Sequence, residues 1–125
     1  MIRITLTTSL LNQIRSDVKD DLELLFTYGA VGSDSTTPTA ADTALGSEDF
    51  RDAIDIFDDS ATSSVTASLR ILTTENNGNS IAEFGWFNAA AAGTMWSRNT
   101  MTTIAKTSDI QVYLDTQISI TITES

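Results

Sequence analysis

The sharpest alternation in the chain comes near its end. In "DIQVYLDTQISITITE" (109–124), Ile110, Val112, Leu114, Ile118, Ile120 and Ile122 hold even positions, interrupted only by Thr116. The odd positions carry Gln111, Tyr113, Asp115, Gln117, Ser119, Thr121 and Thr123. A period of two places these sets on opposite faces of a strand, one toward a core and one toward water. Fully extended, it would span about 45 Å, beyond the usual strand of a small domain. Such a strand bends, bulges, or reaches out to pair with another chain.

"SVTASLRILTT" (64–74) alternates as cleanly, with Val65, Ala67, Leu69 and Ile71 against Thr66, Ser68 and Arg70. "ENNGN" then reads as a turn in which Gly78 or an Asn takes positive φ. "SIAEFGWFN" (80–88) is the expected return strand. Ala82, Phe84 and Trp86 share one face and Ile81, Glu83, Gly85 and Phe87 the other. Both faces are apolar, which predicts a central strand covered twice. "AAAAG" is a small-residue turn, and "TMWSRNTM" starts the next strand.

Upstream, "TSLLNQIRSDVKD" (8–20) is the one helix signal. Leu10, Leu11, Ile14 and Val18 fall on one stripe, and Thr8 or Ser9 can cap the start. "LELLFTYGAV" (22–31) alternates through Leu22, Leu24, Phe26 and Tyr28, which predicts a strand ending near Gly29–Gly32. Residues 32–47 form a loop rich in breakers, with one helical turn at "TAADTAL" capped by Thr39. Loops of this length tend to be functional or to pack on a neighbour. Periodicity does not decide "EDFRDAIDIFDD" (48–59): Phe50, Ala53, Ile54 and Phe57 suit a helix, and Phe50, Ile54 and Ile56 suit a strand edge.

The element order is then helix, strand, long loop, and four or five strands joined by hairpin-type turns. This predicts a mainly β chain: one antiparallel β-sandwich domain over 1–125, Ig-like or jelly-roll-like, with one short N-terminal amphipathic helix. The abundance of Thr, Val and Ile points the same way.

With 125 residues, 41% of them hydrophobic, the chain fits one domain with one core. It has no run of about 18 apolar residues that would predict a membrane span. Its start lacks the apolar centre and cleavage site of a signal peptide. Cysteine and histidine are both absent. That removes disulfides, thiolate chemistry, Cys-rich zinc sites and any His-based triad. A net charge of −10 removes the cationic surface that nucleic acid and anionic membranes require. Solubility accounts for such a charge, as would a basic partner, bound divalent cations or a salty habitat.

The acidic run Glu48, Asp49, Asp52, Asp55, Asp58 and Asp59 lacks calcium-loop spacing. It reads as a solvated face and turn, with an incidental cation site and paired-carboxylate catalysis as the lesser alternatives. "GAVGSDS" lacks the Lys and third Gly of a phosphate loop. No residue is assigned a catalytic, metal or cofactor role. Trp86 and Trp96 flank the 88–94 turn, which predicts cross-strand aromatic packing near a hairpin end. A contact surface and a sugar-stacking platform are the alternatives.

"GSDSTTPTAADTALGSEDFR" (32–51), "TTENNGNSIAEFGWFNAAAAGTMWSRNTM" (73–101) and "AKTSDIQVYLDTQISITI" (105–122) resemble segments of small virion proteins of tailed bacteriophages and tailed archaeal viruses. The resemblance spans about residues 28–122 and rests on turn residues and strand patterns. It implies a strand over 49–57, a β-sandwich, and a non-enzymatic structural role in the tail, baseplate or fibre region of a virion. The implied partners are other virion proteins and copies of the chain itself, with no nucleic acid, membrane or cofactor. The expected contact residues are Pro38, Leu45, Trp86, Phe87, Met95 and Trp96. A capsid decoration or turret protein and a carbohydrate-binding attachment module are the alternatives. The last requires Trp86 or Trp96 exposed beside Asn88, Asn99 or Asp residues.

Overall fold

The computed structural model describes residue 2 and residues 4–123. Helix α1 spans Thr8–Leu25. Thr7 caps it, rather than Thr8 or Ser9: its backbone is extended and its hydroxyl accepts the Leu10 N–H at 3.3 Å. The helix thus takes in residues 22–25, which the alternation assigns to a strand. Leu22 lies four residues after Val18 and continues the apolar stripe, and Leu and Glu are strong helix formers. Phe26 closes the helix, its N–H donating to Leu22 O at 2.9 Å, and its ring enters the core.

Among the described residues seven strands follow: β1 Tyr28–Gly32, β2 Glu48–Ala53, β3 Ile56–Asp58, β4 Ser64–Ile71, β5 Ser80–Phe87, β6 Met95–Ala105 and β7 Val112–Ser119. They form two antiparallel sheets, ordered β2-β1-β5-β6 and β3-β4-β7. The chain is mainly β, a small sandwich with one helix, as the alternation predicts. The ambiguous 48–59 segment is strand, in two pieces. Between them the chain leaves the first sheet for the second: the Ile54 N–H donates to Thr27 O and the Asp55 N–H to Ser68 O, both at 3.0 Å.

The core lies between the sheets. Ala67, Leu69 and Ile71 of β4 and Val112 and Leu114 of β7 pack with Val31 of β1 and Ile81 and Trp86 of β5, a register shift between Ile81 and Glu83 bringing Ile81 onto the Trp86 face and off the Glu83 face its alternation gives. Gly29 pairs with Trp86. A Cβ on Gly29 would lie 2.9 Å from both Leu69 Cδ2 and Trp86 Cζ3, so the tryptophan fits because this position has no side chain.

One connection and one strand length differ from the expectation. The 72–79 turn has its expected positive φ, 53° at Asn76 and 87° at Gly78, but it does not close a hairpin. It carries the chain across the sandwich, so β5 pairs with β1 and β6 and not with β4. The closing strand is also shorter than its pattern. β7 has eight residues, roughly 26 Å, and pairs with β4 of its own chain from Ile71↔Val112 to Ser64↔Ser119. Its even positions face the core as read. Glu124, the last residue of that pattern, lies outside the described residues.

β5 is central and covered on both faces, as expected. The second cover is the 32–47 loop, which places Leu45 beside Ala30 and Phe87 on the outer face of the sheet. Among the described residues, no helix is long and apolar enough to cross a membrane.

Candidate functional site

The strand period places Glu83, Gly85 and Phe87 on that outer face. Glu83 is wholly buried, at 0% exposure. A carboxylate survives burial only where donors surround it, and the loop supplies them. Oε1 accepts the Ser47 N–H at 2.8 Å and the Asp34 N–H at 3.4 Å. Oε2 accepts the Gly46 N–H at 3.0 Å and Arg98 Nε–H at 2.8 Å. Gly32 is part of this closure, because a Cβ there would collide with the Ser47 carbonyl.

Arg98 pairs with Gly85 across β5 and β6, and its side chain is 5% exposed. Its guanidinium gathers the loop: Nη1 donates to Thr36 O at 3.0 Å and Asp42 Oδ2 at 3.1 Å, and Nη2 to Asp34 O at 3.3 Å. Asp34 Oδ2 lies 3.7 Å from Nη2. The hydrogen bond to Glu83, above all, raises the Arg98 pKa. Both aspartates also close local turns. Asp34 takes the Thr36 hydroxyl and N–H at 2.7 and 2.8 Å, and these bonds hold its pKa below the ordinary 3.8. Asp42 takes the Thr39 N–H and hydroxyl, each at 3.0 Å, with the same consequence. The Asp42 N–H donates in turn to Thr39 O at 3.1 Å. These bonds make residues 39–42 a single closed turn instead of the helical turn read at "TAADTAL".

Beside this network a cleft of about 350 Å³ opens between the loop and β6, with Pro38, Thr39 and Asp42 on one side and Met95, Trp96 and Arg98 on the other. A bulge puts Met95 opposite Phe87 and Ser97 opposite Trp86, which leaves Trp96 without a cross-strand partner. The residue is 41% exposed, and its ring is fixed by an Nε1–H bond to Leu25 O at 2.9 Å. Trp86 is in the core, 1% exposed, bonded to Thr116 Oγ1 at 2.9 Å and tilted against Phe26 with centroids 6.4 Å apart. The two tryptophans are therefore not a cross-strand pair. The bulge separates them, and Phe26 takes the place the sequence reading gives to Trp96.

Of the six expected contact residues, Pro38, Met95 and Trp96 meet at the cleft. Leu45, Trp86 and Phe87 are core residues, at 8%, 1% and 2% exposure, and have no surface to offer a partner. The loop and helix end that cover them are not visible in strand periodicity. Three residues escape the sequence reading altogether. Arg51 lies 3.7 Å over the Phe87 ring, pairs with both Glu48 oxygens at 2.6 and 3.1 Å, and donates to Ala89 O and Ala92 O of the β5–β6 turn. Lys106 is buried, its ammonium on Asn77 Oδ1 at 2.8 Å and Thr107 O at 2.9 Å. Arg98 is the third. The available signal is Glu83, a carboxylate inside an apolar strand that needs a cationic partner.

The acidic run makes local bonds. Asp58 accepts the Ser60 hydroxyl and N–H at 2.7 and 2.9 Å, which lowers its pKa. Asp55 accepts the Arg70 N–H at 2.6 Å. Asp59 lies beside Asp20 and Glu23, all three exposed, with ligand atoms within 4.8 Å of one another.

No model of a known protein family matches the chain, and no curated protein matches it.

Proposed function

We propose that this protein is a non-enzymatic assembly subunit that works by protein–protein contact, a structural component of a tailed virus's virion. One observation carries the reading: α1 presents an apolar stripe that its own chain covers only in part, with Leu11, Val18 and Leu22 half-buried and Leu10 and Ile14 left to solvent. None of the eighteen helix residues is buried. Leu10 is 44% and Ile14 38% exposed, and Ile4, ahead of the helix, is 78% exposed. Only Leu22 of the helix packs against the core. An amphipathic helix gains most of its stability by packing that face, and an uncovered one fits an anchor for a neighbouring subunit. Supporting this, the central carboxylates hold the loop together and leave no free acid–base pair there.

The test is mass in solution by light scattering at several concentrations and salt levels. A discrete oligomer is expected, favoured by salt because ten net negative charges per chain repel. Leu10→Ser with Ile14→Ser should return it to monomer without loss of fold. A wild-type chain that stays monomeric at high concentration and high salt overturns the reading.

A further inference from the structure

The cleft beside Trp96 has a one-sided polar rim. Its side-chain donors, Ser97 apart, are already engaged. Arg98 is held by Glu83, Asp42 and two loop carbonyls. The Trp96 indole N–H is on Leu25 O, and the Thr39 hydroxyl is on Asp42. The Ser97 hydroxyl has no partner but is buried out of a ligand's reach. What the opening offers is negative charge: the Asp42 carboxylate, 27% exposed, accepts from Thr39 and Arg98 and keeps capacity for one more donor, and Asp34, 31% exposed, adds its charge from the same cluster outside the cleft. Three carboxylates against one guanidinium leave two net negative charges in this cluster, and Asp42 shares the cleft with the part-exposed Trp96.

This balance selects among ligands. A sugar ring stacks on tryptophan, but its hydroxyl oxygens need donors as well as acceptors. A cation carries donors only and is drawn both to the ring face and to the carboxylates. The cleft, about 350 Å³, is at the low end of small-ligand sites and has room for a single long side chain. Pro38 and Met95 give the methylene stem apolar walls.

We propose that the cleft receives an arginine or lysine side chain from a basic segment of a partner protein, with the cation over the Trp96 ring and its N–H groups on Asp42. This goes beyond the assembly reading and rests on α1 only through Leu25 O, which holds the Trp96 indole.

The experiment follows the indole N–H signals of the ¹⁵N-labelled full chain by NMR, with Trp96→Phe assigning the Trp96 signal. The probes are acetyl-Gly-Arg-Gly-amide, the matched citrulline peptide and methyl glucoside. The arginine peptide should shift the Trp96 signal in a saturable way, weakened about tenfold in Asp42→Asn, which keeps the indole. The citrulline peptide, alike in shape but uncharged, should leave it in place. The same titration in the Leu10→Ser, Ile14→Ser protein should be unchanged, which separates this site from failure of the assembly reading. Equal binding of the citrulline peptide, tighter binding of methyl glucoside, or no shift with the arginine peptide overturns the proposal.

Discussion

Glu83 and Arg98 meet at 2.8 Å on the outer face of the four-stranded sheet, and through that pair the 32–47 loop is fastened to β5 and β6. Removing one charge leaves the other buried and alone, which costs far more than the pair itself contributes. Glu83→Gln should therefore lower unfolding free energy by about 3–5 kcal/mol, read from urea denaturation. Glu83→Ala should be at least as damaging, because the Gly46 and Ser47 N–H groups lose their acceptor too. A loss under about 1 kcal/mol, the range of an exposed pair, would show that the carboxylate is not buried as described.

Arg51 predicts a different kind of loss. Lysine keeps the charge but cannot span Glu48, the Phe87 ring, Ala89 O and Ala92 O together. Arg51→Lys should cost about 1–2 kcal/mol. Hydrogen exchange should rise in the 88–94 turn, where Ala92 holds a φ of 52°. Unchanged exchange there would mean that the turn holds its shape without the arginine.

Acid should loosen the loop before the sandwich core. Asp34 and Asp42 have pKa values lowered below 3.8 by their Thr36 and Thr39 bonds. A carboxylate with a depressed folded-state pKa contributes stability that is present above the unfolded value and lost as pH falls through the folded one. The melting temperature should thus drop as pH is taken below 3.8, and more shallowly in Asp34→Asn and Asp42→Asn than in wild type. Identical pH profiles in all three proteins would remove these groups from the account.

Gly32 tests the loop by shape alone. A Cβ there meets the Ser47 carbonyl and Glu83 Oε1, so Gly32→Ala should cost about 1–3 kcal/mol by overpacking. Gly78→Ala makes the contrast, since nothing lies within 4 Å of its Cβ position and only its positive φ of 87° opposes the change.

The period-two segments were readable because each strand has an inside and an outside. Val65 to Ile71 and Val112 to Leu114 face inward as their spacing requires. Which strand pairs with which was not readable, because a turn such as 72–79 satisfies its own backbone whether it closes a hairpin or crosses the sandwich. Residues 22–25 misled because Leu-Glu-Leu-Leu fits both periods, and Val18 is what ties it to the helix. At the site, Trp96 was visible as a large side chain near a turn, but its separation from Trp86 depends on a bulge. The partnership of Glu83 with Arg98 depends on β6 register, and neither leaves a local mark in the sequence.

The loop that covers β5 also bears on how the chain reaches this state. Glu83 and the Asp34 N–H are 49 residues apart along the chain, and β1 must find β5 across the same span. Contacts of such long separation must close large loops before they return any stabilisation, and they slow folding toward the millisecond-to-second range of sandwiches. α1 and the β5–β6 hairpin, by contrast, are local and can form early. Until residues 34–47 arrive, Glu83 and Arg98 stand in water, where their charges keep an otherwise apolar central strand soluble.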